Sequence, residues 1–521
     1  MSRNAEFWQG FFKAHFVSMP DMLTDRLPAD VWGERIGPDT SAQRNFHTPD
    51  WVKEAVFYQI FPDRFAQSAR VRKPNGLEPW DATPSLEGYK GGDLLGVVEH
   101  LDHLEKLGVN AIYFNPIFQS GSNHRFHTHD YHLVDPMLGG NDALHELIEA
   151  AHARGIKVVL DGVFNHASRG FFQFHDVLEN GSASAYADWF HIQDWPLDAY
   201  GTGPANYHAW WGIKALPKFN TNNPAVREYL WDVAERWIKA GIDGWRLDVP
   251  NEIDDDAFWQ EFRRRVKALN PEAYIVGELW EEAGRWLRGD QFDAVMNYPF
   301  TRLAHGFTVG HKLDQALVEP SGYKYIEPVD APTLASRLER LLKLYPWEAT
   351  LAQLNLLGSH DTPRLNNVAN GDPSTIMLGT LLQMTLPGTP CIYYGDEIGL
   401  EGRHDPDCRR GMPWNENEWN HDLLGFMQSA VRLRRNTPAL QHGTYRTLFA
   451  RGMTFAFERH LETGSAIIAL NADTKEHRIT LEGIEDGTYI DWATQETLEV
   501  RDAVRVLGHV PARSGMVLIR L

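Results

Sequence analysis

Ile242-Asp-Gly-Trp-Arg-Leu-Asp-Val-Pro-Asn-Glu252 reads as a short apolar strand that ends in a basic residue and a carboxylate two positions apart. Successive strand side chains alternate faces, so Arg246 and Asp248 point the same way. A guanidinium beside a carboxylate favours the ionised form and lowers its pKa, which suits an anion that attacks rather than one that carries a proton. Asp248 therefore reads as a nucleophile; the alternative on this stretch alone is a structural ion pair at a strand end. Helical patterns flank the strand. Asn223 caps and Pro224 opens a helix ending near Ala240, with Gly241 as its stop, and a second helix is expected over Asp254–Leu269.

Working outward, the same unit repeats. Towards the N-terminus the strands are Val56–Phe61, Ala111–Asn115 and Lys157–Asp161, separated by helices over Leu94–Leu107 and Leu144–Arg154. In the first of these helices Leu94, Val97, Val98, Leu101, Leu104 and Leu107 recur at three- and four-residue intervals, the mark of one buried face. Towards the C-terminus come strands at Tyr274–Leu279 and Ala294–Asn297, a helix at Thr333–Leu344 and a strand at Leu351–Leu357. A helix at Ser374–Leu386, a strand at Cys391–Tyr394 and a helix at Leu423–Arg435 complete the series. Eight strand–helix units imply a closed parallel (β/α)8 TIM barrel, an α/β fold. A long irregular stretch, residues 164–222, interrupts the pattern after the third strand as a loop subdomain. Past Leu440 short alternating strands with turn signals predict a C-terminal antiparallel β-sandwich. The expected domains are an N-terminal extension over 1–50 with a short helix at Ala5–His15, a catalytic barrel over 51–438, and the sandwich over 439–521.

Composition bounds the partners. A formal charge of −20 over 521 residues opposes nucleic-acid binding, which needs a basic face. No apolar run is long enough to span a bilayer, and the first residues lack the apolar core of a secretory signal. Only two cysteines occur, Cys391 and Cys408, without metal-ligand spacing. Together these features predict a cytoplasmic protein without a membrane partner. Eighteen tryptophans supply flat apolar faces suited to core packing and to sugar rings.

In such a barrel the chemistry sits where strands end. Four polar clusters fall there: Asp161-Gly-Val-Phe-Asn165-His166, Arg246 with Asp248, Gly277-Glu278-Leu279-Trp280, and Ser359-His360-Asp361-Thr-Pro-Arg364. Each alone has a structural explanation; four at equivalent positions of successive units point to a site. Glu278 lies among apolar neighbours, and desolvation raises the pKa of an acid, which makes it the proton donor. One carboxyl kept ionised by arginine and one kept protonated by burial match the nucleophile and acid of retaining glycosidases. Asp361 is the third carboxylate, positioned to bind hydroxyls and favour a cationic transition state, with His166 and His360 on the same ring.

These clusters, in this order, resemble the signature regions of the α-amylase superfamily, glycoside hydrolase family 13. Leu216-Pro-Lys-Phe-Asn220, Val249-Pro-Asn-Glu252, Trp286–Phe300, Gly395-Asp-Glu-Ile-Gly399 and Asp405-Pro-Asp-Cys-Arg409 resemble the cyclomaltodextrinase, neopullulanase and maltogenic amylase group within it. The resemblance implies Asp248 as nucleophile, Glu278 as acid/base and Asp361 as transition-state stabiliser. It also implies His124, Phe126, His166, Arg246, Glu252, Trp280, His360 and Arg364 as substrate-binding residues, and an α-glucan as substrate. The expected reaction is retaining hydrolysis of α-1,4 bonds in maltooligosaccharides, starch-type glucans or cyclodextrins, with α-1,6 bonds as a further target and some transglycosylation. A transferase of the same superfamily is the alternative; a catalytically silent carbohydrate-binding protein is disfavoured because all three carboxylates are present.

Three departures qualify the resemblance. Only about fifty residues precede the first strand where relatives carry a β-sandwich, so dimerisation by that route is not expected. Phe126 stands where the family has a stacking Tyr. After Asp63-Arg64-Phe65 the stretch Ala-Gln-Ser-Ala-Arg-Val-Arg replaces calcium-binding Asn and Asp, so no cofactor is expected to be required and calcium is disfavoured. Asn115, Asp161 and the Gly92-Asp93 pair remain as the available oxygens.

Overall fold

The computed structural model describes residues 33–38, 46–501 and 504–521. The helix expected at Ala5–His15 lies outside them. Eight parallel strands form the central sheet: β1 Phe57–Ile60, β2 Ala111–Phe114, β3 Lys157–Gly162, β4 Gly244–Leu247, β5 Tyr274–Gly277, β6 Ala294–Val295, β7 Leu354–Leu356 and β8 Thr389–Tyr393. Each pairs with its sequence neighbour, and β8 returns to β1 through Phe57 opposite Cys391. The remaining gap is closed just beyond β6, where Met296 bridges Leu354 and the Asn297 amide donates to the Leu354 carbonyl at 2.8 Å. Asn297 Nδ2 also donates to Asn355 Oδ1 at 2.7 Å. The barrel is thus complete, and apart from Lys157 at the start of β3 its strands are buried, as parallel strands covered by helices require.

The helices follow the apolar periodicity, with three differences. Leu94–Leu107 is two helices, Leu94–Glu99 and Leu101–Leu107, because the His100 ring bonds the Gly96 carbonyl at 2.8 Å and packs on Trp414. Leu351 and Ala352 end a short helix, Trp347–Ala352, rather than begin β7; an apolar run of this length has no period that separates the two states. Tyr298–Thr308 is a helix that the sequence pattern did not announce. It contains Gly306, where a Cβ would lie 2.4 Å from the Glu327 carbonyl, so tertiary contact requires a poor helix former there.

After β2 a hairpin, Phe118–Ser120 with Thr128–Val134, carries His124 and Phe126 at its tip. Beyond the barrel, six antiparallel strands between Thr444 and Arg520 form one sheet, and His477–Glu482 pairs Val504–Val510 in a second. Ile467, Ala469, Ile479, Leu481 and Val510 share one apolar core, giving the two layers of a sandwich. No helix among the described residues is long and apolar enough to cross a membrane.

Of two buried arginines, Arg434 braces the barrel from within and Arg459 joins the barrel to the sandwich. Arg434 donates to the carbonyls of Met384, Leu386, Gly388 and Lys53, and Arg459 to those of Thr385 and Gly443. These acceptors include the carbonyls that the end of the helix Pro373–Thr385 leaves unpaired. Burial lowers the Arg434 pKa to about 9, so its charge is costly and its hydrogen bonds must offset that cost. Arg434→Met should destabilise the protein by about 3 kcal/mol, since several buried acceptors lose their donor at once. Calorimetry should show a lower Tm; an unchanged Tm would mean that water or neighbours satisfy those carbonyls equally well.

Candidate active site

The site grows from the register of β3, β4 and β5. Asp161 lies opposite Arg246, and Leu247 opposite Gly277. Beyond the strand ends the Asp248 amide donates to the Gly162 carbonyl at 3.1 Å and the Glu278 amide to the Leu247 carbonyl at 2.9 Å. Both carboxylates therefore sit one step past the rim. Arg246, fully buried, reaches three acids: Nη1 lies 2.9 Å from Asp161 and 3.0 Å from Asp248 Oδ1, and Nη2 lies 2.9 Å from Glu278 Oε1. The Tyr113 hydroxyl adds a donor to Asp161 at 3.2 Å.

This arrangement corrects the simple division of labour read from the sequence. Arg246 serves Asp248 and Glu278 alike, and both carboxyls are buried, at 6% and 5% exposure. Burial pushes the Asp248 pKa up and the charge of Glu278 pushes it further, against the pull of Arg246. Burial likewise raises Asp161 to about 7. One guanidinium does not neutralise three carboxylates, so the acids compete for it. Between Asp248 and Glu278 the backbone is strained: Val249, β-branched, sits at φ 35°, and its N–H donates to Glu278 Oε2 at 3.2 Å. Asp248 Oδ2 is buried without a hydrogen-bond partner.

Asp361 faces this group from the loop after β7. Arg409 Nη2 lies 3.2 Å from its Oδ1, and His360 Nε2 lies 3.1 Å from its Oδ2. Burial and Glu278 push its pKa up; with 30% of its side chain open, solvent moderates that push. His360 stacks on Phe126 with ring centroids 5.5 Å apart and planes 8° off parallel, and His124 packs against Phe126. Burial holds His124 well below its usual range and His166 at about 3, so both rings are neutral.

The long loop supplies a wall. His166 stacks on Trp210, which stacks on Trp211, and both His166 Nε2 and Trp210 Nε1 are buried without partners. Glu252, partly open to solvent, pairs with Lys218 Nζ at 3.1 Å, which ties the long loop to the turn after β4. Trp280 lies face to face with Tyr298 at 3.6 Å. Arg364 departs from its expected role. It is fully buried, with its guanidinium over Tyr393 and Tyr394 and bonded to the Cys408 and Tyr394 carbonyls and to Asp396, so it braces the end of β8 rather than a cleft.

The oxygens considered for calcium do not fit a cation. Asp93 takes Lys73 Nζ and the amides of Ser68 and Gly96; Asn115 Oδ1 accepts from Gln59, and Asp161 is held by Arg246. Among the described residues no group of three or more His, Cys, Asp or Glu could hold a metal ion. Residues that the sequence left unassigned include Trp210, Trp211, Tyr113 and Gln59. A paired Trp-Trp in a loop was a visible signal; Tyr113 and Gln59 are hidden within apolar strands.

Comparison with known proteins agrees with this geometry. The family model for the α-amylase catalytic domain matches residues 59–444. A cyclomaltodextrinase from Bacillus sp. is 46% identical over 449 residues, covering 85% of this chain and 77% of that protein. Neopullulanase 2 from Thermoactinomyces vulgaris is 44% identical over 91% of this chain and 79% of its own. The crystal structure of a debranching enzyme from Nostoc punctiforme superposes with a TM-score of 0.83 at 51% identity, covering 91% of this chain and 99% of that one.

The Asp161 shift carries a stability consequence. Unfolded, its carboxyl ionises near the ordinary value of about 3.9, whereas folded it holds its proton to about 7. The folded state then binds more protons across that window, so this group costs stability as pH rises. Asp161→Asn removes the dependence. The Tm of the variant minus that of the parent should increase from pH 4 to pH 7 in thermal scans; a flat or falling difference would reject the buried, protonated state.

Proposed function

The chain belongs to the α-amylase family, glycoside hydrolase family 13, and from that membership we propose a retaining hydrolase that cleaves α-1,4 glucosidic bonds of maltooligosaccharides, starch-type glucans and cyclodextrins. The observation that carries the reading is the single guanidinium of Arg246 shared by Asp248 and Glu278. Two carboxyls gathered on one cation at adjacent strand ends are the pair that a retaining glycosidase divides into nucleophile and acid.

In this mechanism Asp248 Oδ2, the oxygen without a protein partner, attacks the anomeric carbon while Glu278 protonates the departing glycosidic oxygen. A covalent glucosyl ester forms on Asp248. Glu278, now a base, takes a proton from water, which opens the ester with net retention. Asp361, oriented by His360 and Arg409, binds sugar hydroxyls and favours the positive charge that develops on the ring. Neutral His124 and His166 offer hydrogen bonds without opposing that charge. Phe126 and the His166–Trp210 pair supply faces for the sugar rings.

The names of the relatives support α-1,6 bonds, as in pullulan and branched glucans, as further targets. Transfer to a sugar acceptor competes with water after the ester forms. The substrate partner is therefore an α-glucan, and no metal enters the chemistry proposed. Two buried, free cysteines suit a reducing compartment, which supports residence in the cytoplasm.

Asp248→Asn should lose turnover by a factor on the order of 10⁴ or more while still binding maltotriose, because binding contacts outlive the loss of a nucleophile. Glu278→Gln should retain activity only on substrates such as α-maltosyl fluoride, whose leaving group needs no proton. Initial-rate digests of maltotriose, γ-cyclodextrin, pullulan and soluble starch, with product anomers followed by NMR, test substrate class and stereochemistry together. Initial β-anomers from α-bonds would reject the retaining reading, and glucan products longer than the substrate at every acceptor concentration would favour a transferase.

A further inference from the structure

Gln59 is a fully buried polar residue inside the apolar strand β1. Its Nε2 donates to Asn115 Oδ1 at 3.0 Å and lies 2.9 Å from His360 Nδ1. A primary amide carries two hydrogens, one for each of these acceptors. The orientation follows from chemistry at the far side of the ring. His360 Nε2 is 3.1 Å from Asp361 Oδ2, and a carboxylate requires a proton on the atom facing it. With the proton on Nε2, Nδ1 of the neutral ring is a lone pair, and only the amino end of Gln59 complements it. We propose that Gln59 is a positioning residue for glucan hydrolysis: it fixes His360 as the Nε2–H tautomer, so that the imidazole donates to Asp361 and holds that carboxylate against the reacting sugar.

The surroundings leave His360 little other support for this choice. Its ring lies between Phe126 and Phe61, which offer no polar atom to Nδ1. Its carbonyl is occupied by Arg409 Nε at 2.9 Å and the Cys408 thiol at 3.2 Å, which anchor the backbone but not the ring. The charged or titratable groups that face the ring are Asp361, Arg409, Arg246 and His124. Burial and the two arginines hold the imidazole well below its usual range, so the tautomer, rather than the charge, is what the protein must specify. Gln59 reaches this position because β1 pairs with both β8 and β2; Asn115, just beyond β2, takes its second hydrogen.

The inference rests on the assignment of Asp361 as transition-state stabiliser, and its test separates the two. Long-range 1H–15N spectra of ring-labelled protein, with His360 assigned through His360→Gln, read the tautomer without any substrate. The parent should show the proton on Nε2 from pH 5 to 8. Gln59→Leu should lower kcat on maltotriose by about tenfold with KM within about twofold, because the lost orientation matters most in the transition state. Gln59→Glu keeps the shape of the side chain and places a titratable group against Nδ1, so kcat should acquire a titration between pH 5 and 8 that the parent lacks. A parent tautomer with the proton on Nδ1 overturns the proposal. So does a parent-like kcat and pH profile in Gln59→Glu, which decides the matter should Gln59→Leu fail to fold. A parent protein inert on every glucan, with the Nε2–H tautomer present, would instead remove the hydrolase reading and with it the role given to Gln59.

Discussion

A single guanidinium inside the barrel mouth is the constraint around which the site is arranged. Arg246 is fully buried, and a cation removed from water is tolerated only where anions and hydrogen bonds surround it. Asp161, Asp248 and Glu278 meet that need, from three adjacent strands. The reverse holds as well: three carboxyls packed into the same space share one cation, and for Asp161 and Asp248 burial outweighs its pull. The state of Asp248 is therefore set by the charge balance of the whole site rather than by its strand neighbour alone.

The fold meets this demand through backbone register. Parallel pairing of β3, β4 and β5 fixes the heights of Asp161, Arg246 and Val276, and the ladder bonds to Gly162 and Leu247 carry Asp248 and Glu278 just past the rim. Val249, held left-handed beside them, accepts strain so that its amide can serve Glu278. Elsewhere the same economy of buried arginines recurs with a different purpose. Arg364, Arg434 and Arg459 point at carbonyls where helices and strands end, so they hold loops and the sandwich against the barrel.

The long excursion after β3 contributes shape where the barrel contributes charge. It returns Lys218 beside His166 as a backbone bridge and stacks Trp210 on that histidine. Lys218 then reaches Glu252 across the turn after β4, which couples the wall to the strand that leads into Asp248. Buried polar atoms without a protein partner recur on this wall and on Asp248, a pattern that suits the hydroxyl-rich ligand proposed above.

Much of this was legible in the chain itself. Short apolar runs between amphipathic, period-3.6 stretches located all eight strands, although not all of the helices, and the clusters ending in Asp248, Glu278 and Asp361 stood out because a strand end in a parallel barrel is where polar residues follow a buried run. What the sequence by itself determined was therefore which residues approach the site from each unit. Tertiary structure alone decided how they share charge and who supports them. Asp248 was expected to be acidified by its neighbour two positions away, yet burial and Glu278, thirty residues distant, outweigh that neighbour. Arg364 read as a sugar ligand but is enclosed by Tyr393 and Tyr394, and Gln59, which drew no reading of its own, meets His360 across three hundred residues. The reason is the same in each case: alternation along a strand is a local property, while desolvation and hydrogen-bond partnership depend on which distant segments the closed barrel brings together.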